Sequence, residues 1–312
     1  MPQLSTIALI SRTPGVQAEL VACLAAAQVA AVVQEGEAFA SKADIVLIDQ
    51  RDLPPAALRD LLSQHVGRCV VLTDHDDQDN INNVLARFNV RHLIGGNGRS
   101  WAREFVIIVR KLTSPPLWGL AAYMSPEAVI ETRTVAAATA INQTIDELLE
   151  HVDLHASFEA AEHFLRQTAN ELLTNAVYNA PVDRASHQPK YEQTDRKEKI
   201  VLLPSETVDI SFATDADMIG ISVSDQFGRL TREKIVRHLV KCINNTNFIE
   251  EKRGGAGAGL YLAFYTANQF VVNVEAQRRT EILCILEKTK RYKHHRSRVT
   301  SFNYFTQGEE GL

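Results

Sequence analysis

Polar residues recur at helical spacing within residues 166–180, RQTANELLTNAVYNA. Glu171, Asn175 and Asn179 follow one another at i, i+4 and i+8, so on a helix they would form a single polar line. Carboxylate and amide side chains accept hydrogen bonds, and their oxygens can bind hard cations such as Mg²⁺. The same spacing also suits the solvent-exposed face of an amphipathic helix, and the spacing alone favours neither interpretation.

Two segments further along the chain carry residues that could complete a site. Residues 219–230, IGISVSDQFGRL, are typical of a strand that ends at Asp225 and turns at Gly228. Residues 253–264, RGGAGAGLYLAF, predict a glycine-rich loop that opens a helix. Glycines let a backbone approach phosphate oxygens closely, and a helix N-terminus favours an anion. Together these segments suggest a site for a phosphorylated ligand.

In this order, the segments NELLTNA, SVSDQFG and GGAGAGL resemble the N, G1 and G2 boxes of the GHKL ATPase superfamily. That superfamily includes gyrase, histidine kinases, mismatch-repair ATPases and anti-sigma serine kinases. The resemblance covers roughly residues 130–290, and Arg279-Thr280-Glu281 before a closing apolar strand adds to it. It implies a Bergerat-type α/β sandwich with a mostly antiparallel sheet, which binds ATP with Mg²⁺ between the polar helix and the glycine loop.

The resemblance also implies a role for individual residues. Asn175 would be the Mg²⁺ ligand, and Glu171 would orient or deprotonate an attacking water or hydroxyl. Asp225 would accept a hydrogen bond from the adenine amino group, supported by the hydroxyl of Thr280. The other nucleotide-binding residues it implies are Asn179, Gly228, Gly255, Gly257, Gly259 and Leu260.

The sequence departs from the superfamily pattern at several positions. Phe227 and Arg229 stand where the G1 box usually has glycines, and Tyr178 replaces a lysine often found after the helix asparagine. Three functions are therefore open. The chain could transfer phosphate to a partner's serine or threonine or hydrolyse ATP slowly, it could be a non-catalytic, pseudokinase-like scaffold, or it could be a genuine histidine kinase. The last would need one of the histidines that precede the polar helix: His151, His155 and His163.

The first third of the chain alternates strand and helix patterns, which predicts a doubly wound, five-stranded parallel sheet. With ADIVLIDQRDLP at its centre, this region resembles a response-regulator receiver domain. Asp49 matches the phospho-accepting aspartate and Thr73 the switch hydroxyl, but the acidic pair and the lysine of a receiver are missing. We therefore expect a pseudo-receiver, in which Asp49 is either phosphorylated or merely caps a strand end.

The composition bounds the class of protein. A chain of 312 residues with a net charge of -5 has room for two domains and does not favour nucleic acid as a partner. Four widely spaced cysteines predict reduced thiols in a cytoplasmic protein, and we expect no membrane span. The expected partner is another signalling protein of unknown identity, with a homodimer also possible.

Proline residues and alanine-rich or charged segments predict where one domain ends and the next begins. Ser114-Pro115-Pro116 is the strongest linker signal, and an alanine-rich, helix-like pattern spans Pro126 to Val152. The charged segment 181–199 is expected either as an exposed loop before a strand at Ile200 to Leu203, or as one that docks a partner or folds over nucleotide. The predicted domains are a pseudo-receiver at 1–115, a helical linker at 116–160, a GHKL ATP-binding domain at 161–290 and a basic and aromatic tail at 291–312.

Overall fold

The computed structural model describes residues 5–96, 101–113, 118–155, 157–183, 185–195, 198–244 and 259–307. The chain divides into two compact units. The first comprises Met1–Leu117 with Arg298–Asn303, and the second comprises Trp118–Ser297 with Tyr304–Leu312. The predicted linker at Ser114-Pro115-Pro116 lies outside the described residues.

The first unit contains a parallel sheet with strands in the order β2-β1-β3-β4-β5. Its central strands are runs of β-branched and aliphatic residues buried on both faces, as a sheet covered by helices on two sides requires. The strands are β1 Ser5–Ile10, β2 Ala31–Glu35, β3 Ile45–Asp49, β4 Cys69–Thr73 and β5 His92–Gly95. The helices are α1 Val16–Ala26, α2 Glu37–Ala40, α3 Pro55–Gln64, α4 Asp77–Asp79, which continues as a π-helical turn at Asn80–Leu85, and α5 Trp101–Thr113, with a 3₁₀ turn at Gln50–Asp52.

The second unit contains an antiparallel sheet with strands in the order β9-β10-β8-β7-β6. The strands are β6 Val129–Val135, β7 Val208–Thr214, β8 Met218–Asp225, β9 Gln269–Glu275 and β10 Arg279–Glu287. The helices are α6 Ile141–Leu149, α7 Ala161–Thr174, which continues as a π-helical turn at Asn175–Asn179, α8 Arg232–Ile243, α9 Gly259–Thr266 and α10 Tyr292–Arg296, with 3₁₀ turns at Leu120–Ala122 and Ala138–Ala140. Helix α7 packs against α6, α9 and strand β8. The predicted α/β class, with a five-stranded parallel sheet followed by a mostly antiparallel one, is confirmed.

Two secondary-structure predictions were wrong. The helix expected over Pro126 to Val152 is strand β6 followed by α6, because the β-branched run VIETRTV pairs along its whole length with β7. The strand expected at Ile200 to Leu203 makes only an isolated bridge, between Val201 and Ala137. Pro204 follows directly and has no amide hydrogen with which to continue a ladder.

The last strand, β11 Ser301–Gln307, begins in the first unit. Phe302 there pairs with Leu93 of β5, so the aromatic residue is buried within the chain itself. In the second unit, the buried Tyr304 donates its hydroxyl to the carbonyl of Leu230 at 3.1 Å. Within the described residues, no helix has the length and apolarity needed to cross a bilayer.

A buried carboxyl group in the first unit binds residues 298–303, the late part of the chain that belongs to this unit. Glu104 of α5 is 5% exposed and accepts hydrogen bonds from Ser301 Oγ at 2.9 Å and Asn303 Nδ2 at 2.7 Å. Burial raises the pKa of Glu104 to about 8, although both hydrogen bonds act to lower it. The group is therefore mostly protonated in the folded protein at neutral pH.

This raised pKa predicts a pH-dependent stability. Because the folded state binds the Glu104 proton more tightly than the unfolded chain, the contribution of Glu104 to the free energy of unfolding should fall as pH rises from about 5 to 8, by up to about 1.4 kcal/mol per pH unit. Buried His92, whose pKa is lowered to about 3, has the opposite effect below about pH 6.5, so the net fall should appear between about pH 6.5 and 8. Glu104→Gln should flatten this dependence. Urea unfolding followed through Trp101 fluorescence, in a Trp118→Phe background that leaves one of the two tryptophans, measures the effect.

The matched control is Glu19→Gln, which alters an exposed carboxylate of the same unit and should leave the pH dependence as it is. An unchanged slope in the Glu104→Gln protein would contradict the prediction.

Candidate functional site

A cavity of about 500 Å³ opens in the second unit. Its wall is built from the C-terminal end of α7 with its π-helical turn, the ends of β8 and β10, helix α8 and the start of α9. Such a volume lies in the range of small-molecule sites. Six residues singled out in the sequence line it: Asn175, Asn179, Asp225, Gly259, Leu260 and Thr280.

Asp225 is the buried acid of this cavity. It ends strand β8, lies directly opposite Thr280 of β10 and is 8% exposed. Its Oδ1 accepts a hydrogen bond from the backbone N–H of Phe227 at 2.8 Å, and both the side chain and the backbone of Thr280 hydrogen-bond it as well. Burial raises the pKa of Asp225 to about 6, against these hydrogen bonds. At neutral pH the cavity thus holds a carboxylate fixed in orientation.

In the turn after Asp225, Gly228 is the one glycine, and the structure shows what it and its neighbour Phe227 do there. Phe227 is buried, and the following Gly228 adopts φ +60, in the left-handed region that favours glycine. A Cβ at Gly228 would overlap the carbonyl oxygen of Glu275, the last residue of β9, and would crowd the backbone of the turn that follows it. Gly228 does not line the cavity, so its predicted contact with nucleotide stays a prediction while its packing role is clear.

The helix that carries Glu171, Asn175 and Asn179 changes from α-helical to π-helical geometry at Asn175. The backbone N–H of Ala180 donates to the carbonyl of Asn175 at 3.1 Å, an i to i+5 hydrogen bond of a π-helical turn. The Nδ2 of Asn179 donates to the Oδ1 of Asn175 at 2.9 Å, so the two amides face the cavity as a pair. Single π-helical turns occur frequently at functional sites.

Glu171 lies against the start of α9 rather than on the cavity wall. A Cβ at Gly259, the first residue of α9, would overlap Oε2 of Glu171 and lie 2.8 Å from its Cδ. Glycine at this position therefore makes room for the carboxylate. The positive end of the helix dipole favours a negative charge there.

Three basic side chains also line the cavity: Arg229, Lys234 and His238. Lys234 and His238 lie one turn apart on α8, and Lys234 Nζ donates to the carbonyl of Arg229 at 3.4 Å. Burial and the charge of Lys241 lower the pKa of His238. Sequence reasoning named Arg229 only as a departure from the G1 pattern and missed Lys234 and His238, although the i, i+4 spacing of these two on an amphipathic helix was a usable signal. Gly255 and Gly257, which the sequence resemblance implies as nucleotide-binding residues, lie outside the described residues.

In the first unit, the carboxylate of the receiver-like Asp49 is bound by side chains of the protein itself. It is fully buried, and Arg51 donates to it from Nε and Nη2, each at 2.8 Å, while Ser11 Oγ donates at 2.8 Å. Burial raises the pKa of Asp49, but hydrogen bonds from Arg51 and Ser11 and the charge of Arg51 outweigh burial, so the pKa lies below its ordinary value. Asp49 also caps the 3₁₀ turn through the N–H of Arg51, as the capping interpretation expects.

Thr73 is likewise engaged within the first unit. Its hydroxyl donates to Oδ1 of Asn80 at 3.0 Å and accepts from the backbone N–H of His75 at 3.1 Å. Phosphorylation of Asp49 stays a prediction that would require Arg51 to move.

Comparison with protein-family models and curated proteins identifies no relative of the chain.

The contact between Gly259 and Glu171 predicts a coupled pair of substitutions. Gly259→Ala should lower the free energy of unfolding by about 1–3 kcal/mol, because the added methyl group overlaps the Glu171 carboxylate. In a Glu171→Ala background two of the three close contacts disappear, so the same substitution should be less harmful. Urea unfolding of the four proteins of this cycle, followed by circular dichroism, measures the coupling, and strict additivity would contradict the contact.

Proposed function

We propose that the second unit is a GHKL-type nucleotide-binding domain that binds ATP with Mg²⁺. The observation that carries the proposal is the buried Asp225, held by Thr280 and by its turn at one wall of a cavity that also presents an asparagine pair and basic side chains. A hydrogen-bond acceptor, amide oxygens and positive charge are what adenine, Mg²⁺ and phosphates respectively need.

Asp225 would recognise the base. Its carboxylate can accept a hydrogen bond from the exocyclic amino group of adenine. Guanine presents a carbonyl oxygen at the equivalent position, and two acceptors facing each other in a buried site are unfavourable. Because backbone and hydroxyl donors already fix the carboxylate, little ordering is needed when the base binds.

The asparagine pair fits the metal-bound end of the ligand. Asn179 fixes the amide of Asn175 and leaves a second lone pair on its Oδ1, which is enough for a cation that keeps waters and phosphate oxygens as its other ligands. When bound, Mg²⁺ would neutralise phosphate charge. Arg229 and Lys234 would add positive charge from the chain itself. Glu171, which lies beside the cavity-lining Gly259, would orient the attacking water or hydroxyl.

The activity we propose is transfer of the γ-phosphoryl group to a serine or threonine of a partner protein, or slow ATP hydrolysis, within cytoplasmic signalling. The second candidate is a scaffold that binds ATP without turnover. Asp49, already paired with Arg51, and a G1-like turn committed to packing through Gly228 favour this alternative. Binding of ATP without hydrolysis or transfer to any partner would separate the two.

Calorimetry with ATP tests the proposal. We expect saturable binding that Mg²⁺ strengthens, discrimination against GTP, and roughly tenfold or greater weakening in Asp225→Asn, because an amide can present a donor where adenine needs an acceptor. Asp209→Asn is the matched control, since that side chain accepts from Thr134 on β6, away from the cavity. Absence of binding at millimolar ATP would refute the nucleotide site.

The raised pKa of Asp225 predicts how base binding varies with pH. The carboxylate accepts this hydrogen bond more strongly than the protonated acid, whose O–H is a donor, so affinity should be constant well above pH 6 and should fall by up to about tenfold per pH unit below it. Adenosine is the suitable probe because it has no phosphate that titrates in this range. Titrations between pH 5 and 8 should show the fall in the unsubstituted chain but not in Asp225→Asn, and a flat profile in both would contradict the assignment.

A further inference from the structure

Part of the chain between α7 and β7 contributes to the cavity wall. We call it the wall segment: residues 181–195, except residue 184, which lies outside the described part of the chain. An isolated bridge joins Val182 and Pro189, and the N–H of Lys190 donates to the carbonyl of Pro181 at 3.0 Å. The segment therefore folds back on the end of the polar helix.

A buried carboxylate outside the cavity lining fastens this segment. Glu206 is 5% exposed and accepts hydrogen bonds from Lys190 Nζ, from the Tyr191 hydroxyl at 3.1 Å and from the N–H of Leu203 at 3.1 Å. Burial raises the pKa of Glu206, but the bonds from Lys190, Leu203 and Tyr191 outweigh burial, so the pKa lies below its ordinary value. Glu206 is thus an ionised group with two of its three partners in the wall segment.

The residues on either side of these two partners line the cavity. Pro189 precedes Lys190 and Glu192 follows Tyr191, and both contribute to the wall. Asn179 and Ala180, directly before the wall segment, line the cavity as well. The position of this side of the cavity therefore depends on the hydrogen bonds that Lys190 and Tyr191 donate to Glu206.

We infer that Glu206 is a positioning residue for the nucleotide: through Lys190 and Tyr191 it holds Pro189 and Glu192 as a fixed side of the ligand pocket. The inference depends on the proposed nucleotide site and extends it to a segment that none of the three sequence boxes includes. A preformed wall strengthens binding because the ligand need not order it.

Glu206→Gln tests the inference with little change of shape. The amide retains an acceptor for Tyr191 and Leu203 but loses the charge that holds Lys190. We expect ATP affinity, measured by calorimetry, to fall roughly tenfold. Hydrogen exchange of residues 185–195 should become faster, while exchange in β8 and β10 stays the same.

Two further variants should show a smaller loss of ATP affinity or none. Tyr191→Phe removes one hydrogen bond and leaves the ion pair, so its loss of affinity should be smaller. Glu198→Gln removes an exposed carboxylate from the same connection between α7 and β7, outside the cavity lining, and should change neither affinity nor exchange.

The outcomes separate the inference from the function on which it depends. Faster exchange in the wall segment with unchanged ATP affinity would overturn the inference and leave the nucleotide site standing. Unchanged exchange in Glu206→Gln would overturn the anchoring role. Absence of ATP binding by the unsubstituted chain would refute both the proposed function and the inference.

Discussion

A carboxylate that is almost completely buried sets the conditions for the whole candidate site. Asp225 needs donors, because a buried charge without partners costs several kcal/mol. The donors come from Thr280 on the neighbouring strand and from the turn that follows β8. This requirement ties the register of β8 and β10 to the shape of the turn. Gly228 takes a left-handed conformation there because the turn must also pack on the one between β9 and β10.

The same two strands carry a second polar group on their opposite face. Glu281 follows Thr280, so its side chain points to the other side of the sheet, where it accepts hydrogen bonds from Ser222 at 2.8 Å, Asn273 at 2.8 Å and the N–H of Gly119 at 3.0 Å. Beside it, the guanidinium of Arg279 lies 4.5 Å from the centre of the Trp118 ring. Strand β10 is thereby fixed from both faces, which keeps Thr280 aligned with Asp225.

The parts that local pattern controls could be predicted from the sequence, and the parts set by distant contacts could not. Runs such as IVLID and CVVLT bury both faces and so indicated the parallel sheet. Strand β6 was missed because alanines on either side of VIETRTV masked its β-branched pattern, and only pairing with β7 decides it. Register places Thr280 opposite Asp225, a distant pair that no local pattern predicts and that was anticipated only as an implication of the family resemblance.

Other features of the site depend on tertiary placement. Nothing in the spacing of Asp49 and Arg51 reveals that the guanidinium folds back onto the carboxylate. The charged composition of residues 181–199 suggested an exposed loop or a cover, and the contact of Pro189 and Glu192 with the cavity arises from an anchor later in the chain, Glu206. The π-helical turn at Asn175–Asn179 was likewise not predicted from the residue spacing, which suits an ordinary α-helix.

The return of residues 298–303 to the first unit has a consequence for synthesis of the chain. Strand β5 gains its second neighbour only from β11, and the buried groups His92 and Glu104 find their partner Asn303 there. While the ribosome is still producing the second unit, the first has an open sheet edge and polar groups without these partners. Its folding therefore cannot finish until residues 298–303 have left the ribosome, and until then the exposed edge of β5 is a place where nascent chains could pair with one another.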